Sequence, residues 1–406
     1  MATDASTQRA APVVRHRGWQ VIVAYSLVCA GTQLLWLTFA PITTESARHY
    51  GVSVTAIGWL AEIFPLLYVV LAIPAGLLLD RAFRPTLAAG AALVTAGGLI
   101  RLGGPAFAWA LAGQFVVAVA QPIVLSAVSK LAGEYLPREE RAAGIAVGSA
   151  GSFAGMVVAL VLGPTVGGHG QIERLLLVEA ILALLPALWL MVLLRRAGQE
   201  SDEHAAIEGN AARALWALPA MRTYCGLAFV GFGIFVALAT WLQQLLQPAG
   251  VSEQQAGAML VGMVVAGIVA CAVLPALVAR RGAERPFMLT AVFVACGGCA
   301  VLAVGSHIAV WATALAVMGV LLLPALPVIL TSAEQMAGPA AGTAGAIVWL
   351  AGNLGGIVIA LVAQALVHHP DAAFLALAVV ALGGLPLARR VRPVVVADAS
   401  PLTLTR

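Results

Sequence analysis

Long apolar stretches separated by short polar loops dominate the sequence. Most stretches have no polar face, which distinguishes lipid-embedded helices from amphipathic helices of a soluble core. A helix needs about 20 apolar residues to cross a bilayer. The pattern therefore predicts an all-α membrane protein with twelve transmembrane helices, near residues 18–41, 53–79, 86–104, 107–134, 141–165, 173–195, 221–247, 254–279, 286–305, 308–333, 339–367 and 371–388.

The second half of the chain repeats the first. PIVLSAVSKLAG at 122–133 returns as PVILTSAEQMAG at 327–338, and Gly144, Gly151 and Gly155 correspond to Gly345, Gly352 and Gly356. Duplicated membrane bundles of this kind usually form a transporter, with the substrate site between the two copies. We therefore predict two pseudo-symmetric six-helix bundles, and divide the chain into a tail (1–17), a first bundle (18–195), a polar linker (196–220), a second bundle (221–388) and a tail (389–406).

The composition excludes most other classes of protein. Hydrophobic residues make up 61% of the chain and charged residues 10%, against about 25% charged in soluble domains. The net charge of +4 is no signature of nucleic-acid binding, and the seven histidines lack metal-site spacing. We predict no enzyme activity, cofactor, metal or nucleic-acid partner. The expected partners are a small-molecule substrate, the lipid bilayer and, as a candidate, protons; we expect a monomer.

Arginine placement predicts the orientation. The loops on one side contain most of the arginines, whereas those on the other contain little more than Arg48 and Arg174. Because positively charged loops remain in the cytoplasm, we predict a multi-pass plasma (inner) membrane protein with both termini cytoplasmic.

Two loop motifs suggest a superfamily. Between the second and third spans, Gly76, Asp80, Arg81 and Arg84 form a pattern that resembles the cytoplasmic signature of the major facilitator superfamily. The resemblance implies a charged latch that stabilises one transport conformation; a plain polar turn is the alternative. The segment from Gly163 to Gly168 is similar to the end of an antiporter motif of that superfamily, with ordinary glycine-rich helix packing as the alternative.

Polar residues inside the spans are candidates for the site, because each is costly in hydrocarbon unless it faces a cavity or a partner. Glu62 and Glu334 are the proton-coupling candidates. Several alternatives stay open: Gln121 could only join two helices, Glu62 could be a protonated packed carboxyl, Lys130 and Glu334 could be solvated, and Glu179 could lie beside Arg174. The residues considered are Gln33, Trp36, Glu62, Gln114, Gln121, Lys130, Glu179, Trp241, Gln243, Gln244, Glu334, Gln335, Trp349 and Asn353.

A narrower resemblance concerns both halves. Trp36-Leu-Thr-Phe-Ala-Pro41, Ala120-Gln121, Thr240-Trp241-Leu242 and Ala351-Gly352-Asn353 are similar to stretches of the feline leukaemia virus subgroup C receptor family. That family carries choline and ethanolamine and has been linked to haem. The resemblance implies that a span-one tryptophan cages an ammonium group while glutamines of spans four and eleven line the cavity. The substrate-binding candidates are Trp36, Gln121, Phe235, Trp241, Asn353 and Gln33.

The chain departs from that family at two of these positions. Asn353 replaces the second glutamine, and the seventh span contains Phe235 but no tyrosine to complete the aromatic cage. The leading prediction is therefore alternating-access transport of a small organic solute, with a choline-like amine as the candidate. The rival is a proton-coupled exporter of drugs or secondary metabolites, favoured by the antiporter-like motif and by Glu62.

Overall fold

The computed structural model describes residues 11–167, 170–196, 211–305 and 307–391. Much of the predicted tails and linker therefore lies outside the described residues. The described residues form sixteen α-helices: α1 (Ala11–Leu37), α2 (Thr43–Tyr50), α3 (Val54–Arg81), α4 (Phe83–Ile100), α5 (Phe107–Ser126), α6 (Val128–Tyr135), α7 (Arg138–Leu162), α8 (Ile172–Arg196), α9 (Ala211–Ala217), α10 (Pro219–Leu246), α11 (Glu253–Arg281), α12 (Glu284–Val304), α13 (Ile308–Ala337), α14 (Ala341–Ala365), α15 (Pro370–Gly383) and α16 (Leu385–Arg390).

The predicted all-α membrane fold is confirmed. Length and hydropathy identify eleven apolar spans in the described residues, and one of them, Ile308–Ala365, is 58 residues long. This long span contains α13 and α14, which are separated by a 3-10 turn at Gly338–Ala340. Proline at 339 lacks an N–H group, so it suits a helix break at this position. When this one span is counted as two helices, the described residues contain twelve membrane crossings.

Within each half, glycines let two helices approach closely. A side chain on Gly155 of α7 would collide with the backbone of Ala30 in α1. The matching pair in the second half is α14 with α10, where a side chain on Gly355 would collide with the backbone of Phe229. Small residues at such crossings increase van der Waals contact between membrane helices. The duplicated sequence thus folds into duplicated packing, although Gly355 lies one residue before the glycine that the repeat aligns with Gly155.

The two halves, α1–α8 and α10–α16, meet along two helix pairs. One pair is α3 with α14 and the other is α7 with α11. At the first pair, a side chain on Gly76 would lie 2.7 Å from the Cβ atom of Ala346 and 2.8 Å from the Cα atom of Thr343. We call this part of the bundle the Asp80 end. The opposite part, where α1 ends and α3 and α8 begin, is the Arg101 end.

Candidate functional site

Two buried amides form the polar centre of the first half. The Nε2 atom of Gln121 in α5 donates a hydrogen bond of 2.7 Å to the Oε1 atom of Gln33 in α1. Both side chains are at most 3% exposed. The structure therefore brings together two predicted site residues that are 88 positions apart.

Trp36 lies one turn beyond Gln33 on α1 and packs against α3. Its indole Nε1 atom donates to the carbonyl oxygen of Ala61 at 2.9 Å, and its ring lies 6.1 Å from the ring of Phe64. Ala61 needs this donor because the residue four positions later, Pro65, has no N–H for the helical hydrogen bond. The half-buried ring is thus held in place by its own nitrogen, and part of its surface stays accessible.

The candidates of the second half lie apart from the amide pair. Phe235 of α10 is 4% exposed and its ring lies 5.8 Å from those of Phe153 and Phe232. Asn353 donates to the carbonyl of Trp349 in its own helix at 2.9 Å. Trp241 is half-buried against the hydrophobic core. The second-half candidates therefore contribute mainly aromatic rings, and the amide of Asn353 is used within its own helix.

The aromatic contacts continue across the boundary between the halves. The ring of Trp349 in α14 lies 5.6 Å from that of Phe232 and 6.4 Å from that of Tyr68 in α3. Tyr68 in turn hydrogen-bonds Ser126 at 3.1 Å. Sequence reasoning considered Trp349 as a polar residue in a span but missed Tyr68 and Phe153, whose apolar surroundings gave no signal.

Asp80 joins the two halves at the first turn of α14. Its Oδ1 atom accepts from the Gly342 amide at 2.8 Å and its Oδ2 atom from the Thr343 amide at 2.7 Å, and the Thr343 hydroxyl adds a short hydrogen bond. The free N–H groups at a helix N-terminus carry partial positive charge, so a carboxylate is stabilised there. The Nζ atom of Lys130 lies 3.4 Å from Oδ1, which supplies a counter-charge.

The other residues of the latch motif differ in their surroundings. Gly76 lies at the crossing with α14, whereas Arg81 is exposed. Arg84 is half-buried close to Tyr135, where burial raises the pKa of the phenol and the positive charge of Arg84 opposes that rise. Lys130 is only 8% exposed, so the structure does not support a solvated lysine at this position.

The two proton-coupling candidates lie in contrasting environments. Glu334 is 5% exposed and pairs with Arg141 at 3.1 Å, in an ion pair that connects the two halves. Glu62 is exposed on α3, at the Arg101 end, and is not packed in the bundle. The described residues thus place one carboxylate in an ion pair and leave the other on the surface of a span.

A buried charged network was missed by the sequence interpretation. The Nη2 atom of Arg101 lies 3.1 Å from the Oε2 atom of Glu179, and neither side chain is exposed. Thr38 donates to the same carboxylate oxygen at 2.6 Å and accepts from Arg101 at 2.7 Å. The predicted neighbour of Glu179 was wrong, since Arg174 hydrogen-bonds Gln171 instead. Arg101 lies inside the third predicted span, and a charge at such a position is the signal that could have found it.

Gln114 connects this network to the helix that carries Trp36. Its Oε1 atom accepts from Arg101 at 3.5 Å, while its Nε2 atom lies 3.4 Å from the carbonyl oxygens of Trp36 and Leu60. Because α1 ends at Leu37, the Trp36 carbonyl has no partner in a following helical turn. The network therefore holds the end of α1 in place from within the first half.

Comparison with known families decides the class of the protein. Residues 21–360 match the Major Facilitator Superfamily, which is most of the chain. The chain belongs to this superfamily. It is therefore a multi-pass membrane protein of a superfamily of transporters, which are not enzymes.

Two relatives are similar to this chain over part of their length. The chain is 27% identical over 312 residues to solute carrier family 49 member A3 of Danio rerio, which covers 73% of this chain and 66% of that protein. It is 28% identical over 155 residues to the choline/ethanolamine transporter FLVCR2 of Homo sapiens, which covers 37% of this chain and 30% of that protein. The match thus spans less than two thirds of the length of either relative. The predicted resemblance to the receptor family is confirmed.

Solved structures show the same fold at low sequence identity. The human organic anion transporter MFSD10 superposes with a TM-score of 0.75 at 15% identity, covering 91% of this chain and 99% of that one. The transporter FucP in its outward conformation superposes with a TM-score of 0.71 at 15% identity, covering 91% of this chain and 99% of that one. These similarities concern the fold alone.

Proposed function

We propose that this protein carries a small organic amine across the plasma membrane by alternating access between its two six-helix halves. The observation that carries the proposal is the buried amide pair of Gln33 and Gln121, one turn from the accessible ring of Trp36. Aromatic faces attract a cationic head group, and an amide dipole can orient it. The name of the human relative, a choline/ethanolamine transporter, supports the same class of substrate.

The distribution of polar contacts supports alternating access. In the described part of the chain, the hydrogen bonds between the halves lie at the Asp80 end and involve Asp80, Ser129 and Arg141. With both termini in the cytoplasm, the Asp80 end faces the cytoplasm and this conformation is closed on that side. Opening at the Asp80 end requires that these few hydrogen bonds break and that the packing of α3 on α14 loosens there.

The test is uptake and efflux in proteoliposomes that contain purified protein. A panel of radiolabelled amines, with choline and ethanolamine included, is measured with and without a pH gradient. Saturable flux of at least one amine, reduced by Trp36→Ala, is the expected result. Flux of neutral solutes but of no amine would reject the substrate class while leaving alternating access in place.

A second candidate function is proton-coupled export, which the position of Glu62 favours. Ionisable residues inside apolar spans are rare because they are costly in hydrocarbon, and where they occur they often mark ion or proton pathways. If coupling uses this group, Glu62→Gln should lose accumulation driven by a pH gradient but retain exchange of substrate for substrate. Normal accumulation in Glu62→Gln would leave Glu62 with a structural role and remove the support for this candidate.

A further inference from the structure

An apolar pocket lies between the halves, where α7, α10 and α13 meet. Eleven residues line it, and none of them carries a charge or a hydrogen-bonding side chain. Ten belong to the second half; the first half contributes only Phe153. The most prominent lining residues are Phe153, Leu227, Phe232, Phe235, Leu322 and Leu326. The pocket thus offers nothing that would recognise a polar group.

The pocket lies close to the depth of the amide pair. Gly151 packs on Ser26 and Gly155 packs on Ala30, so Phe153 is level with Val28 of α1. Gln33 is five residues further along α1, which corresponds to about 7.5 Å along the helix axis. Along the axis of α1, the pocket and the amide pair are therefore at similar depths in the bundle.

A second apolar cavity continues the pocket into the second half. Both are lined by Leu227, Gly231, Leu322, Ala325 and Ile329. A side chain on Gly231 would have no heavy atom closer than 4.0 Å, the Cδ2 atom of Leu322. Since no collision requires a glycine here, its effect is to leave space between the two cavities. Unfilled apolar space forfeits packing contacts, so an apolar occupant is favoured.

We infer that these joined cavities hold the apolar chain of an amphipathic amine while its head group lies at Trp36, Gln33 and Gln121. This inference rests on the proposed transport of amines and narrows the substrate class to alkylated amines. It also accounts for the missing span-seven tyrosine: the second half provides an apolar pocket in place of another aromatic face for the head group.

The experiment measures dissociation constants for n-alkyltrimethylammonium ions, from methyl to octyl, on purified protein in lipid nanodiscs. Burial of each methylene is expected to strengthen binding about three- to four-fold until the chain fills the cavities. Gly231→Val should end this gain at a shorter chain, because the added side chain occupies the junction. Binding of tetramethylammonium, which has no chain, should remain within about two-fold of wild type.

Gly297→Val is the matched control. Gly297 lies in α12 of the same half, no heavy atom would lie within 4 Å of its side chain, and it lines neither cavity. Both variants place valine in a helix at an open position, and both share the same partitioning of alkyl chains into lipid. A chain-length series that is the same for Gly231→Val and Gly297→Val would overturn the inference.

Further measurements distinguish a failure of the apolar pocket from a failure of the proposed amine substrate. Binding of tetramethylammonium without any chain-length effect rejects the apolar pocket but keeps the amine carrier. A chain-length effect with n-alkanols and no binding of any ammonium ion keeps the pocket and rejects the amine. Copurified lipid that mass spectrometry finds reduced in Gly231→Val, with no gain from alkyl chains, would identify the cavities as a lipid site instead. Should Gly231→Val fail to purify as a single species, Ala228→Leu, which fills the first cavity, takes its place.

Discussion

The two ends of the bundle use buried charges in different ways. At the Asp80 end, the charged groups connect the halves: Asp80 binds the first turn of α14, and Arg141 pairs with Glu334. At the Arg101 end, Arg101, Glu179 and Thr38 all belong to the first half. Under the proposed alternating access, the first set would break when the halves rock, whereas the second could persist through the cycle. The charges at the Asp80 end thus connect the two halves, and those at the Arg101 end stabilise the first half alone.

The largest effect is expected at the Arg101 end. Arg101→Leu leaves Glu179 as an unpaired buried charge, which should lower the free energy of unfolding by about 3–5 kcal/mol. The measurement is unfolding of the purified protein in a denaturing detergent titration. The control is Arg174→Leu. Arg174 is exposed and hydrogen-bonds Gln171, so its loss should change the free energy of unfolding by less than about 0.5 kcal/mol.

A double variant sharpens this prediction. Arg101→Leu with Glu179→Met removes both charges, so much of the lost stability should return. If the double variant is no more stable than Arg101→Leu, the pair is not an isolated ionic contact and the loss has another cause.

Asp80→Asn should have the next largest effect, on the conformational equilibrium and not on folding. A hydrogen bond to a charged group contributes about 1.5–3 kcal/mol, so the state open at the Asp80 end should gain at least ten-fold in population. Labelling of a cysteine introduced at that end would measure the shift. Transport should slow while substrate still binds. The control is Arg81→Gln, at an exposed residue of the same motif. Unchanged turnover in Asp80→Asn would reject the role of Asp80 as a conformational latch.

Trp36→Ala should weaken amine binding by about 1–2 kcal/mol, or roughly ten-fold, because an aromatic face is lost. Gln121→Ala should cost about 0.5–1.5 kcal/mol, the net contribution of a typical hydrogen bond. Both losses should be greater for quaternary amines than for neutral solutes of the same size. Trp36→Phe retains a ring but loses the hydrogen bond to Ala61, and should lie between wild type and alanine. Wild-type affinity of Trp36→Ala for every amine tested would contradict a role in binding.

The smallest effect is expected for Arg141→Gln. Arg141 is 29% exposed, so solvent screens its pairing with Glu334, and the contribution should be about 0.5–1 kcal/mol. The same cysteine labelling therefore should show a shift several times smaller than that of Asp80→Asn. Equal shifts in the two variants would mean that both contacts hold the halves together to the same degree.

The helices, the duplication and the superfamily could all be predicted from local patterns in the sequence. Apolar runs long enough to cross a bilayer leave few alternatives to a helix, because each backbone polar group must be satisfied inside the segment. The glycine repeat and the motif around Asp80 were visible for the same reason: they are local patterns. Polar groups are rare in membrane spans, and this rarity also identified Gln33, Gln121 and Trp36 as candidate binding residues.

Contacts between buried polar side chains, in contrast, became visible in the folded structure. Arg101 and Glu179 are 78 residues apart, and Asp80 is 262 residues from Gly342. No periodicity reports such pairs, since they depend on how helices from different parts of the chain are positioned. The exposure of Glu62 and the apolar cavities beside α10 also arise from packing. Helix formation depends on local sequence and can therefore be predicted from it. The partners of buried charges and the shapes of cavities depend on how the helices pack in the assembled bundle.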